Sequence, residues 1–211
     1  MVKEGFPFVI TPMVAAMIFA YFGIWTVAGA LVLLAGFMAF FFRDPHRTPP
    51  NDRGVVVSAA DGRVTRIDET ELGKTVSVFL SPLDVHINRA PIEGTISKIE
   101  YTAGRKGPAT NNDASFVNER NSLTIENEHL TVVCTQIAGI VARRIVCWSK
   151  PGDHLERGER FGLIKFSSRT DVLLPASAEI AVRIGDRVVG GETVLARYEV
   201  DLGENPVAGE D

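Results

Sequence analysis

Two adjacent serines, Ser167 and Ser168, stand between two apolar runs in Gly158-Glu-Arg-Phe-Gly-Leu-Ile-Lys-Phe-Ser-Ser-Arg-Thr-Asp-Val-Leu-Leu-Pro175. A hydroxyl in that setting becomes a nucleophile only if a neighbouring base takes its proton. Four histidines are available, His46, His86, His129 and His154, with no HxH or HxxxH spacing, so a metal enzyme is not indicated. His86, in Leu80-Ser-Pro-Leu-Asp-Val-His-Ile-Asn-Arg-Ala-Pro91, has the intrinsic pKa of an acid/base, although a histidine on such a run is by default a satisfied core residue. Asp61, in Ala59-Ala-Asp-Gly-Arg-Val64, either shapes a turn before Gly62, orients His86 or pairs with Arg89. Cys134 and Cys147 form no CxxC or Cys/His cluster, and no GxGxxG after a strand, GxxxxGK[ST] or GxSxG is present. Zinc, disulfide-scaffold, nucleotide and hydrolase-elbow readings therefore lack support.

These residues must be positioned by a chain of two unlike parts. Phe6 to Phe42 is 37 residues without a charge, where an ordinary composition would place about nine. One helix of that length would reach about 55 Å, against a hydrocarbon core of about 30 Å. The run is interrupted by Pro12 and Gly23, which predicts two short spans or a re-entrant hairpin turning near Gly23. With Lys3 before it and Arg43, His46, Arg47 and Arg53 after it, both ends belong on the cytoplasmic side. Arg43 and Arg47 are placed to touch head groups or to be solvated. Arg43-Asp-Pro-His-Arg-Thr-Pro-Pro50 reads as a stiff, extended linker, dividing a membrane-associating segment, 1–42, from a domain over 43–211.

In the second part, short β-branched runs recur between Gly, Pro and Asp turns: 54–58, 64–67, 75–80, 95–101, 123–125, 130–137, 141–148, 179–184 and 193–200. A mainly β fold, a sandwich or barrel, is expected, with a short turn at 84–87 and a loop over 106–121. The weakly acidic net charge of −4 and the absence of Lys/Arg blocks exclude a nucleic-acid footprint. Gly152-Asp-x-Leu-x-x-Gly158-Glu recurs as Gly185-Asp-x-Val-x-x-Gly191-Glu, and Asp61-Gly-x-Val64 as Glu93-Gly-x-Ile96. This implies repeated strand-turn-strand units. The pattern is similar to the hammerhead of biotinyl and lipoyl carriers, but no lysine occupies the corresponding turns.

Six stretches, in order, resemble the short-form phosphatidylserine decarboxylase proenzymes, including the archaetidylserine decarboxylases: Phe41-Phe-Arg-Asp-Pro-His-Arg47, 59–64, 80–91, Asn118-Glu-Arg-Asn-Ser-Leu123, Gln136-Ile-Ala-Gly-Ile-Val-Ala-Arg-Arg-Ile-Val-Cys-Trp148, and the double-serine segment. The resemblance covers nearly everything from Phe41 to about Tyr198. It implies a biotinyl/lipoyl-like β sandwich (a barrel-sandwich hybrid) with an N-terminal apolar helical hairpin. It also implies a membrane-associated carboxy-lyase whose cofactor is made from its own chain, with neither metal nor PLP. In such enzymes a serine hydroxyl attacks the preceding peptide carbonyl, the ester undergoes β-elimination, and hydrolysis leaves an N-terminal pyruvoyl group. The ketone of that group accepts the substrate amine and the electrons left behind by CO2.

Carried over residue by residue, the pyruvoyl precursor is Ser168, since Ser-Arg-x-Asp-Val aligns it rather than Ser167. Cleavage between Ser167 and Ser168 would give a β chain, 1–167, and an α chain, 168–211, held together as a heterodimer. A further dimer is compatible with open sheet edges. His86 and Asp61 complete the implied catalytic set. Two positions depart from the family: Ser167 stands where Gly is usual, so a Cβ restricts the scissile bond, and Arg89 stands where longer relatives carry a second histidine. The implied substrate is a serine phospholipid with ester-linked or ether-linked chains, drawn from the membrane surface beside the β domain. The competing reading is a non-enzymatic biotinyl-like carrier or membrane-tethered binding module, or an uncleaved proenzyme.

Overall fold

The computed structural model describes residues 1–71, 73–104, 107, 117–139, 144–165 and 168–200, and the following account concerns those residues. After a 3-10 turn at Lys3–Gly5, the apolar run forms α1 (Phe6–Tyr21) and α2 (Trp25–Phe41). The two pack side by side as a hairpin. The reversal falls at Gly23, whose φ of +76° is open to glycine at no steric cost, while Ile24 donates its N–H to the Phe19 carbonyl. Pro12 does not interrupt the run as expected: α1 continues through it, and its ring is buried. The helices bury mainly small residues, Pro12 and Ala16 on one and Ala28 and Ala35 on the other, which lets two backbones approach closely. Their large side chains face outward, Leu33 at 76% exposure, so the pair is apolar all round. Lys3–Tyr21 alone has the length and composition of a membrane span.

The rest is mainly β, as expected. The strands are β1 (Val55–Val57), β2 (Gly62–Thr70), β3 (Gly73–Leu80), β4 (Ile87–Arg89), β5 (Gly94–Thr102), β6 (Arg120–Glu126), β7 (Thr131–Ala138), β8 (Ile145–Cys147), β9 (His154–Leu155), β10 (Arg160–Ile164), β11 (Ser168–Leu174), β12 (Glu179–Ile180), β13 (Arg187–Val188) and β14 (Val194–Arg197). Eight of them form one curled sheet in the order β13-β2-β3-β11-β7-β6-β5-β9, and two three-stranded sheets, β4-β10-β8 and β1-β14-β12, complete the body. The apolar core runs from Val56 through Val76, Val78, Ile96, Leu123 and Phe161 to Leu195. Of the expected loop 106–121, Arg120 and Asn121 belong to β6, and most of the remainder lies outside the described residues.

The sequence echoes correspond to paired structures. Gly185 donates to the Val64 carbonyl and Asp186 accepts at its own from Val64; Gly152 and Asp153 do the same with Ile96. The two Asp side chains then close equivalent turns, accepting from the N–H of Arg183 and of Lys150, both at 2.8 Å. The four turn glycines, 152, 158, 185 and 191, share φ between +79° and +100°. Gly158 and Gly191 meet back to back, where a Cβ on Gly191 would lie 3.3 Å from Gly158 Cα. The repeated segments thus form equivalent turns that approach one another at this glycine pair.

The linker is extended but not free. Asp44 takes Arg89 at 3.3 Å and also Arg160, Arg47 takes Asp61 at 2.7 Å and Glu192 at 3.6 Å, and Arg157 binds the Pro50 and Asp52 carbonyls. At its start, Phe41 and Phe42 are buried with Val2, Val85, Ile87 and Leu163, which seats the hairpin base on the β4-β10-β8 sheet.

Candidate active site at the hairpin base

The site begins at the turn 81–84. Asp84 is buried and accepts from the Ser81 N–H at 2.8 Å and hydroxyl at 2.6 Å, while its other oxygen holds Arg187. The turn so fixed presents the Asp84 carbonyl to His86 Nδ1 at 2.9 Å. A carbonyl only accepts, so Nδ1 carries the proton and Nε2 keeps its lone pair. His86 is buried, stacked on Phe41 with ring centroids 4.2 Å apart. Burial pushes its pKa down to about 4, with the Asp84 carbonyl and carboxylate opposing and Arg43 adding to the depression. At neutral pH the ring is uncharged and Nε2 is a free base.

Ser168 opens β11, paired to Leu80 on one side and Ala138 on the other, and is fully buried. Among the described residues, neither Ser168 Oγ nor His86 Nε2 has a hydrogen-bond partner. Two tethers bring these groups to one end of the body. His86 accepts at its carbonyl from the Ile164 N–H, the last residue of β10, four positions before Ser168. Two residues beyond each, Asn88 donates to Thr170 Oγ1 at 2.9 Å. Gln136 donates to Asn88 and Asn121 to Gln136, at 2.9 and 3.0 Å, so a buried amide ladder locks β4 to β11, β7 and β6. Ser167 lies outside the described residues.

Asp61 neither orients His86 nor forms an ion pair with Arg89. It accepts from Arg47 and, at 2.8 Å, from the Gly190 N–H, and burial raises its pKa against the opposing pull of both partners. Arg89 is instead committed to Asp44 and to the Gly158 and Pro45 carbonyls. Nor is Arg47 a solvated or head-group residue, because its guanidinium is taken by two carboxylates. Arg43 lies over the Phe40 ring and donates to the Phe40 and Leu83 carbonyls. Sequence reasoning missed Phe41 as the lid on His86, Asp84 as its anchor and the amide ladder. Only the motif around 80–91 hinted at the last two.

A separate cavity of about 590 Å³ opens between Arg53, Glu93, Glu126, His129, His154 and Arg157. Glu93 and His154 of its lining, with Glu156 beside them, bring ligand atoms within 4.8 Å of one another, all exposed. This group lies at the β9 edge, four strand positions from β11, and includes neither His86 nor Ser168.

Beside the apolar hairpin the β body buries Ser168 Oγ and His86 Nε2, both without a hydrogen-bond partner among the described residues. Residues 34–196 match the family model described as phosphatidylserine decarboxylase. The chain is 46% identical over 204 residues, 92% of its length and 94% of the relative's, to the phosphatidylserine decarboxylase proenzyme of Symbiobacterium thermophilum. The chain belongs to the phosphatidylserine decarboxylase family and is a carboxy-lyase of a serine phospholipid.

Proposed function

We propose that this chain cleaves itself between Ser167 and Ser168 and then decarboxylates phosphatidylserine or archaetidylserine to the ethanolamine lipid and CO2. The observation that carries the reading is the fully buried, unpartnered hydroxyl of Ser168. Leaving a buried hydroxyl bare costs about 1–3 kcal/mol; Ser77 Oγ is equally bare in the middle of β3, but only Ser168 stands at the start of a strand, in the segment that carries the family motif. The same hydroxyl suits the precursor of a pyruvoyl group, so the residues present fit that cofactor.

In the self-cleavage, Ser168 Oγ attacks the carbonyl carbon of residue 167, and the peptide C–N bond breaks as the Ser168 nitrogen takes a proton. Loss of the Ser168 α-proton then expels the new carboxylate end of chain 1–167. Water replaces the nitrogen, which leaves as ammonia. A neutral His86 with its lone pair on Nε2 is in the form needed to accept a proton at this end of the body, and it is the acid/base we assign. Once formed, the pyruvoyl ketone supplies an electron sink for loss of CO2. His86 and Phe41 exclude water on the hairpin side, and the amide ladder holds the start of β11 in place. Asp61 is assigned a positioning role, fixing the linker through Arg47.

The domains are then a membrane-associating hairpin, 1–42, and a catalytic body, 43–211, on the cytoplasmic side, running as chains 1–167 and 168–211. The hairpin base lies against His86, which supports a site that meets lipid where the substrate resides. Ser168→Ala tests the assignment by gel and mass: one uncleaved, folded chain is expected, and cleavage that survives the change overturns it.

A further inference from the structure

The hairpin accounts for insertion, but the body around its base presents a second surface. Leu83, at the tip of the 81–84 turn, is 64% exposed, and its carbonyl takes Arg43. On another flank Trp148 is partly exposed and donates its indole N–H to Glu4 at 2.8 Å, just before α1. Lys165 places its ammonium 5.4 Å from the centroid of the Phe8 ring, in the first turn of α1. Each of these contacts is to residue 4, 8 or 43, which places the Leu83 backbone and the Trp148 and Lys165 side chains at the level where the hairpin leaves the body. Apolar and aromatic groups mixed with cations are the composition that partitions to the boundary between acyl chains and phosphates.

We infer that Leu83, Trp148 and Lys165, with Arg43, form an interfacial collar by which the β body itself sits on a lipid bilayer. The inference rests on the membrane reading of the hairpin and goes beyond it, because it assigns lipid contact to residues of the catalytic body. Charge supports the occupant: Arg43 and Lys165 are cations at the height of the phosphates if α1, about 24 Å long, lies within the hydrocarbon. The consequence for the site is depth. His86 packs on Phe41, at the end of α2 and two residues before Arg43, so a seated collar holds the imidazole just outside the acyl region and brings a serine head group to it without lifting the lipid from the membrane.

The chain has two tryptophans, Trp25 at the hairpin turn and Trp148 in the collar, which separates the two readings. Full-length Trp25→Phe and Trp148→Phe variants would be reconstituted in phosphatidylglycerol/phosphatidylcholine vesicles carrying bromines either near the head group or deep in the chains. The collar requires Trp148 emission to be quenched, and more by the shallow bromines than by the deep ones. Quenching of Trp25 with none of Trp148 overturns the collar and leaves the inserted hairpin standing, whereas quenching of neither removes both. Stronger quenching of Trp148 by deep bromines also overturns the interfacial placement. As a second arm, Leu83→Glu should raise KM for phosphatidylserine in vesicles about tenfold. An unchanged vesicle KM contradicts the collar.

Discussion

Phe41 offers a direct way to ask whether the hairpin tunes the chemistry beneath it. The drop of the His86 pKa from an ordinary 6.5 to about 4 is a bias of about 3 kcal/mol toward the neutral ring. Burial is its leading cause, and the Phe41 ring, 4.2 Å away and itself 1% exposed, covers one face of the imidazole. Phe41→Ala opens that face to water. A rise of one unit or more is expected, equivalent to about 1.4 kcal/mol. Because truncating a buried phenylalanine costs about 3–5 kcal/mol of stability, Phe41→Leu serves as the milder companion. The midpoint is read by NMR titration of the His86 Cε1–H in detergent micelles, assigned with His86→Gln. The sign in stability follows as well. The folded pKa lies below the unfolded one, so His86 disfavours folding increasingly as pH falls from 6.5 to 4, and Phe41→Ala narrows that window. A midpoint unmoved near 4 in both variants would refute the claim that the hairpin base keeps this ring dry.

Three further outcomes test the frame around the site. Gly191→Ala, at φ +81° with a Cβ 2.9 Å from Arg89 Cδ, should destabilise the fold by about 2 kcal/mol, read as a lower Tm, and an unchanged Tm contradicts the back-to-back glycine contact. Asp61→Asn removes the carboxylate that holds Arg47, so trypsin should cut the linker after Arg47 several-fold faster, and equal rates would mean that the linker is fixed by other contacts. Ser167→Gly, by removing the Cβ beside the scissile bond, should speed self-cleavage, and an unaltered rate counts against a conformational restraint at 167.

The features legible in the sequence were those written in short-range pattern. The charge-free run with Gly23 gave a hairpin, β-branched runs gave most of the strands, and the Gly-Asp echoes gave the paired turns. Pro12 misled because a proline removes one hydrogen bond without necessarily ending a helix, and α1 runs through it with the ring buried. The short strands β4, β9 and β13 have too few residues to show a period, and pairing with distant strands defines them. His86 and Ser168 were recognisable through motif order, but their settings were not. The stack on Phe41 spans 45 positions and the Asn88 to Thr170 bond 82, contacts that no local pattern encodes. The partner of Asp61, left open between a turn, His86 and Arg89, was hidden for the same reason: Arg47 looked like a positive flank of the membrane segment, yet the linker folds it back onto the body.

The central claim, a cofactor made from Ser168, is tested most directly by the intact mass of the purified full-length protein before and after hydroxylamine. Two chains are expected, 167 residues and 44 residues long, the shorter with a blocked N-terminus whose mass shifts with hydroxylamine as a ketone's would. A single 211-residue chain that neither cleaves nor reacts would contradict it.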